Sequence, residues 1–399
     1  MQPHHDPWRR LVPDDGLSTY LAETRALVLE EIETILPKGG PLGEILYERM
    51  RDYPLRPAKG LRPALCLAIC RAAGGSTGAA LRTAAVLELY HNAFLIHDDV
   101  EDGSARRRTE PTLSAAYGDA IAVNVGDAML LLCQEALDEN LRLLGLGPAL
   151  RIRRVLADMT RQTVEGQAVE LEWIRNRRWG LTDRDYLRMV HKKTTWYSFT
   201  APLVLGGMIG GLPTSRHFAL RCLAALVGAA FQIQDDVLNL EGDPGHTGKE
   251  ALGDLWEGKH TLVLEHTMRT VDAGRRRVLE EALAKERPRV ERFGRDPERE
   301  GRRIFAELRA ADVCEGETAR RVARWMQDRE DAGFRTATDV ECLHAAVVDC
   351  GSVEYARGVA RDRIRRAEVW MRAMHTWLEP SPDRDFLDSV LAYVVRRTL

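Results

Sequence analysis

Two clusters of acidic residues end two long apolar runs, and their spacing is that of ligands for a hard cation. The first is His97-Asp98-Asp99-Val100-Glu101-Asp102; the second is Phe231-Gln232-Ile233-Gln234-Asp235-Asp236-Val237-Leu238-Asn239. On a helix Asp98 and Asp102 stand at i and i+4, so their carboxylates share one face a single turn apart. Like charges placed this way repel unless a cation sits between them. Oxygen-only ligands in an open arrangement suit Mg2+, which keeps waters and completes its shell with substrate phosphate. In the second cluster Asp235 and Asp236 repeat the pattern, with Asn239 at the i+4 position. One acidic pair is ordinary solvated surface. Two pairs, each ending a run too apolar to face water, would hold several divalent ions over one polyanion if they faced each other across a bundle.

Basic residues supply the complement. Lys59 and Arg62 lie in Lys59-Gly60-Leu61-Arg62-Pro63, and Arg107 and Arg108 follow the first acidic cluster. Lys193-Thr194 sits mid-chain, while Gly248-Lys249 and Gly258-Lys259 follow the second cluster. Arginine forks bind phosphate bidentately and lysine acts as a point charge. Singly, each is a surface charge; jointly they match two diphosphates, one gripped through metal and one directly.

These groups need a scaffold, and the periodicity of apolar residues supplies one. Spacings of three and four recur almost everywhere, and sustained period-two alternation is absent. The pattern predicts helices over 17–36, 61–73, 80–101, 121–144, 152–173, 183–210 and 218–240. Glycine and proline mark the breaks at 39–41, 74–75, 145–148, 210–213 and 242–248. Long helices with short connections make an all-α bundle. Residues 84–96 and 220–233 are apolar on nearly all sides, which places both helices in its middle. From about 273 to 338 the chain turns to mixed Arg and Glu, the pattern of solvated helical surface, and apolar periodicity resumes near Val340.

The 399 residues are 45% hydrophobic and 29% charged, which suits a globular protein with a large core. Lys and Arg number 57 against 60 Asp and Glu, a net charge of −3 that gives no electrostatic case for nucleic acid or an anionic membrane as partner. The seven cysteines are scattered, with no zinc-like spacing, and read as small buried hydrophobes in a reducing compartment. The first fifteen residues contain no apolar secretory core, and no apolar stretch has the length of a membrane span. A soluble, cytoplasmic protein without integral membrane association is expected, with residues 1–15 a flexible tail.

Taken in order, the motifs resemble the trans-isoprenyl diphosphate synthases, the polyprenyl synthetase family. The family's DDxxD and RRxxP motifs are similar to Asp98-Asp99-Val100-Glu101-Asp102 and Arg107-Arg108-Thr109-Glu110-Pro111. Its GKxxRP pattern is matched by residues 58–63, with Ala58 in place of the glycine. Glu88 to Asp99, Gly166-Gln167, Lys193-Thr194, Phe231-Gln232 with Asp235-Asp236, and the stretch from Gly248 to Lys259 look like the other motifs. The likeness runs from about 42 to 271 and again from about 340 to the end. Asn239 replaces the third acid of the second motif, a variant associated with geranylgeranyl-type members. Thr109 stands where glycine is usual and Glu170 where aspartate is usual, and residues 285–338 look like an insertion.

The resemblance implies one large bundle of the isoprenoid synthase type spanning 1–399, with a central active-site cavity. It implies a Mg2+-dependent prenyltransferase that adds isopentenyl diphosphate to dimethylallyl, geranyl or farnesyl diphosphate. Asp98 and Asp102 would hold two Mg2+ ions and Asp235 a third, with Asp99 and Asp236 completing the acidic motifs. Arg107, Lys193, Lys249 and Lys259 would contact the allylic diphosphate, and Thr194, Gln232 and the Lys193 region would cradle the allylic cation. Lys59, Arg62, His91 and Arg108 would hold isopentenyl diphosphate, His91 being equally well read as a hydrogen-bonded core histidine. Product length would depend on what lies below Asp98 on its helix. Ala93 is small and opens the floor, Phe94 is large, and Tyr90 lies about 12 Å deeper by helical rise. That order favours a C20 geranylgeranyl product, with C15 farnesyl diphosphate as the alternative. A homodimer is expected by the same resemblance. Two other readings stay open: a class I terpene cyclase, against which the second-diphosphate residues and the missing NDxxSxxxE motif count, and a non-catalytic partner subunit, against which the retained acids count.

Overall fold

The computed structural model describes residues 14–241, 252–287 and 333–396. It begins with α1 (Asp14–Ile35), a π-turn (Gly43–Tyr47), α2 (Glu48–Leu55) and α3 (Leu61–Ala72). The first acidic cluster ends α4 (Thr77–Glu101), and a hairpin of β1 (Arg106–Arg107) and β2 (Glu110–Pro111) follows it. Next come α5 (Leu113–Tyr117), α6 (Asp119–Ala136), α7 (Glu139–Leu144) and α8 (Leu146–Arg175). The segments α9 (Asp183–Val190), a π-helix (His191–Thr200) and α10 (Ala201–Ile209) run end to end, and α11 (Thr214–Glu241) carries the second acidic cluster. Then follow α12 (Gly253–Glu257), α13 (Leu262–Thr270), α14 (Ala273–Leu283), α15 (Ala337–Asp349), α16 (Ser352–Met374) and α17 (Pro382–Arg396).

Local chemistry sets the helix starts. The Ser76 hydroxyl accepts from the Ala79 amide at the head of α4. Thr182 with Asp185 forms a capping box on α9, and Thr336 with Asp339 forms another on α15. Left-handed glycines at 39, 40, 74, 145 and 211 stand at expected breaks. The break expected at 242–248, the N-terminal tail through residue 13 and most of the Arg/Glu-rich segment lie outside the described residues.

The bundle buries its two acidic helices. One apolar cluster joins α4 to α1, α2, α3 and α6; a second joins α11 to α9, α13, α16 and α17. Tyr20 ties the two ends of the described chain together. Its hydroxyl donates to Asp383 at 2.7 Å and accepts from the Arg71 guanidinium at 2.6 Å, while Arg71 Nε also reaches Asp383 at 2.7 Å. The Tyr20 ring stacks on Phe386 with centroids 4.0 Å apart.

Three expectations need correction. The helix predicted over 121–144 is broken between Ala136 and Glu139, because Leu137 and Asn140 both turn inward onto α4, where the Asn140 amide donates to Thr83 at 3.0 Å. The helix predicted over 183–210 widens into a π-helix in its middle. A β-hairpin exists where no strand was expected, its two-residue strands too short for alternation to register.

Candidate active site

The acidic ends of α4 and α11 open into one cavity of about 520 Å³, a size ordinary for small-molecule sites. Asp98, Asp235 and Asp236 line it, with six basic side chains: Lys59, Arg62, Arg107, Arg108, Lys193 and Lys259. His91, Phe94, Thr194 and Gln232 line it as well. Asp99, Asp102, Tyr90 and Ala93 are not among the lining residues, and Lys249 lies outside the described residues.

Asp98 sits among cations. Lys193 Nζ is 3.3 Å from its Oδ1, and an Arg107 nitrogen is 3.4 Å from its Oδ2. Burial works against its charge, but Lys193, Lys259 and Arg107 outweigh burial and hold the carboxyl below the usual range. Asp99 points the other way. It is buried, accepts the Tyr53 hydroxyl at 2.5 Å, and takes Arg107 Nε at 2.8 Å on each oxygen. Asp99 therefore orients Arg107 from behind. Burial, with Asp98 and Glu257 as charged neighbours, pushes the Asp102 carboxyl well up. A cation bound between Asp98 and Asp102 would relieve that repulsion.

The hairpin aims the two arginines. Arg108 and Thr109 both have positive φ, at 55° and 70°, the signature of the two-residue type I′ turn that suits a twisted hairpin. Arg56, just past the end of α2, braces it by donating to the Arg107 carbonyl at 2.9 Å and the Pro111 carbonyl at 2.6 Å.

Lys193 and Thr194 come from the π-helix, a widened geometry that recurs at functional sites. Gly166 on α8 allows the close approach this needs, since a Cβ there would lie 2.3 Å from the Lys193 backbone nitrogen. The Lys193 ammonium pairs with Glu170 as well as Asp98. A relay crosses to α11: the Thr194 hydroxyl donates to Gln232 at 2.9 Å, and the Gln232 amide donates to Asp236 at 2.8 Å. The Tyr186 hydroxyl also donates to Asp236, at 2.7 Å. Burial and the nearby Asp254 push the Asp236 carboxyl up to about 7.

At another stretch of the wall, three buried polar atoms have no partner among the described residues: Arg62 Nε, Glu88 Oε2 and His91 Nδ1. A second Arg62 nitrogen donates to Ser198 at 2.8 Å, and the guanidinium lies 4.7 Å over the Tyr197 ring. Burial, then Arg62 and Arg108, hold His91 well below its ordinary value, so its ring is neutral. Lys59 donates to the Tyr393 hydroxyl at 2.7 Å. Phe94 packs edge-on against Tyr197 at 5.5 Å and lies 5.9 Å from Tyr90, which is buried behind it and accepts from Gln134.

Lys193, Lys259 and the carboxylates were visible as motifs. Tyr53, Tyr186, Tyr197 and Tyr393 were not, since a lone tyrosine carries no spacing that sets it apart from ordinary helix packing. Glu88 was visible as the start of the motif-like stretch that runs to Asp99, and as the one acid within 84–96.

A polyprenyl synthetase family model matches residues 44–295. A short chain isoprenyl diphosphate synthase from Methanocaldococcus jannaschii is 32% identical over 254 residues, 64% of this chain and 74% of that protein. A (2E,6E)-farnesyl diphosphate synthase from Mycobacterium tuberculosis is 36% identical over 224 residues, 55% of this chain and 60% of the relative. The crystal structure of geranylgeranyl pyrophosphate synthetase from Pyrococcus horikoshii superposes with a TM-score of 0.75 at 27% identity, covering 96% of this chain and 99% of that one.

Proposed function

Since the chain belongs to the polyprenyl synthetase family, we propose that it is a Mg2+-dependent trans-prenyltransferase that condenses isopentenyl diphosphate with an allylic diphosphate, most favourably to the C20 product. The observation that carries this reading is the meeting of both acidic helix ends with six basic side chains around one cavity.

The residues fit a hard divalent cation. The donors are oxygen-only, the Asp98 and Asp102 carboxylates repel one another, and Asp98 opens onto the cavity rather than into a closed cage. A site of that kind leaves coordination positions for water and phosphate oxygens, which Mg2+ favours. Asp98, Asp102 and Asp235 would hold the ions. When bound, they supply positive charge to the departing diphosphate.

The chain's own groups do the rest. Lys193, Arg107 and Lys259 bind the allylic diphosphate and stabilise the charge that grows on it as the C–O bond breaks. The oxygens of Thr194 and Gln232 face the electron-poor allylic carbon. Arg62, Lys59, Arg108 and the neutral His91 orient isopentenyl diphosphate, the unpaired Arg62 Nε and His91 Nδ1 receiving its polar groups. Its double bond attacks the allylic carbon, and the proton lost from the adduct passes to the released diphosphate. The chain acts in the cytoplasm, with Cys66, Cys70 and Cys133 kept as buried free thiols.

The C20 reading keeps to a cavity whose apolar lining includes Leu130, Val164 and Ala168 as well as Phe94. A C15 product is the second reading, favoured by Phe94, rather than Ala93, standing at the wall. Purified protein is incubated with Mg2+, labelled isopentenyl diphosphate and each of dimethylallyl, geranyl and farnesyl diphosphate, and the products are sized. Elongation that falls by two orders of magnitude or more in Asp98→Ala supports the assignment, on the scale of losing one electrostatic stabiliser. No elongation from any primer by folded wild-type protein would remove it. A C20 product supports the deeper floor; a C15 product that lengthens in Phe94→Ala makes Phe94 the stop.

A further inference from the structure

Lys259 reaches the cavity from a very short element. The five-residue α12 is held at its start by Asn239, whose side-chain oxygen accepts the Asp254 amide at 2.9 Å. At its end the chain turns through Gly258, which has φ +69°, and the Lys259 amide donates back to the Asp254 carbonyl at 2.9 Å. Five residues cannot hold this geometry by helix propensity alone. Something outside must hold the last turn.

Arg335 does so. It is 3% exposed, and its guanidinium donates to the carbonyls of Leu255 at 2.9 Å and of Trp256, the last turn of α12. It also donates to Ala282 at 3.2 Å, Leu283 at 2.9 Å and Lys285 at 3.0 Å, at the end of α14. Helix C-termini leave carbonyls without intrahelical partners, and one planar cation here satisfies two such ends. None of the five acceptors is a carboxylate, so the guanidinium's hydrogen bonds are all to backbone, while Asp339 and Glu257 attract its charge without accepting from it. Its fit to the turn is close, since a Cβ on Gly258 would lie 2.9 Å from an Arg335 nitrogen.

A second brace comes from the same strip of chain. The Arg335 amide donates to the Glu286 carbonyl at 2.7 Å, and the next residue, Arg287, pairs with Glu257 at 2.6 Å. Arg287 and Arg335 thus grip the end of α12 from two sides, and they bracket residues 288–332 in sequence.

We propose that Arg335 is a positioning residue for prenyl transfer: it fixes the α12–Gly258 turn and thereby the direction in which Lys259 enters the cavity. This rests on the reading of Lys259 as a ligand of the allylic diphosphate. The test compares Arg335→Lys in the full-length wild-type chain and in a Lys259→Met chain, with steady-state kinetics for both substrates and thermal melting on each. The lysine keeps the charge but cannot reach two helix ends at once. Alone, Arg335→Lys is expected to lower kcat/KM for the allylic substrate roughly tenfold or more, the scale of a small misplacement at a reacting centre. The KM for isopentenyl diphosphate stays unchanged, and in the Lys259→Met chain the same substitution adds little further loss. An equal loss in both backgrounds, or a lowered melting point with the allylic KM unchanged, overturns the proposal. If Lys259→Met alone leaves the allylic KM unaltered, it is the reading of Lys259 that fails. Should Arg335→Lys not fold, Arg287→Gln serves in its place, with the same signature expected and an unaltered allylic KM counting against the proposal.

Discussion

Asp236 is held by two donors in a buried setting, and the Tyr186 hydroxyl is one of them. Tyr186→Phe leaves that carboxyl short of a donor and should cost about 1–3 kcal/mol, the penalty of an unsatisfied buried group; urea unfolding measures it. His91 gives a pH signature. Its folded value lies well below its ordinary one, so between the two only the unfolded chain takes the proton. The stability that the neutral ring contributes is complete above about pH 6.5 and falls as pH drops below it, by at most about 1.4 kcal/mol per pH unit. His91→Gln should flatten this acid limb relative to wild type, as followed by urea midpoints from pH 8 to pH 5. The acids and bases around the cavity were legible in the sequence because their types and spacings are unusual. Which of them turn away was not: neighbours on one helix point in different directions, and only the packed bundle shows Asp99 turned onto Tyr53 and Arg107 while Asp98 meets the cavity.

The helices themselves were legible because apolar spacing records which face is buried, and their breaks were marked by glycine and proline. The π-helix was invisible, since a slightly wider turn leaves the same apolar pattern over ten residues. Its closeness to α8 yields a prediction: Gly166→Ala forces Lys193 away and should cost about 1–3 kcal/mol as overpacking, with a larger loss of activity than of stability. The hairpin was hidden for a different reason. Thr109, a β-branched residue in the left-handed region, occupies a turn position better suited to glycine or asparagine. Thr109→Gly should therefore raise stability by about 1 kcal/mol or less, after the entropic cost of glycine offsets part of the relief. A differential scanning melt that moves downwards would show that the threonine contributes more than its strain.

Across the whole molecule, α6 and α8 each carry large apolar side chains that nothing covers among the described residues. Leu131, Leu146 and Leu150 are 62%, 65% and 55% exposed. A second copy of the chain would cover these side chains if the homodimer expected from the sequence forms. The double variant Leu146→Glu with Leu150→Glu should sediment as a monomer where the wild type sediments as a dimer; identical sedimentation would place the contact elsewhere. The contact between Tyr20 and Asp383 has another consequence, for the order in which the molecule is made. These partners are 363 residues apart, and Arg71 depends on the same aspartate. While the chain is still being synthesised and has emerged only as far as α16, both wait for a partner not yet translated. The packing of α17 on α1, α3 and α11 can therefore form only after synthesis has passed α17. Every member of the cluster that joins α4 to α1, α2, α3 and α6 is translated well before it, so the half of the bundle around α11 is the part left open longest.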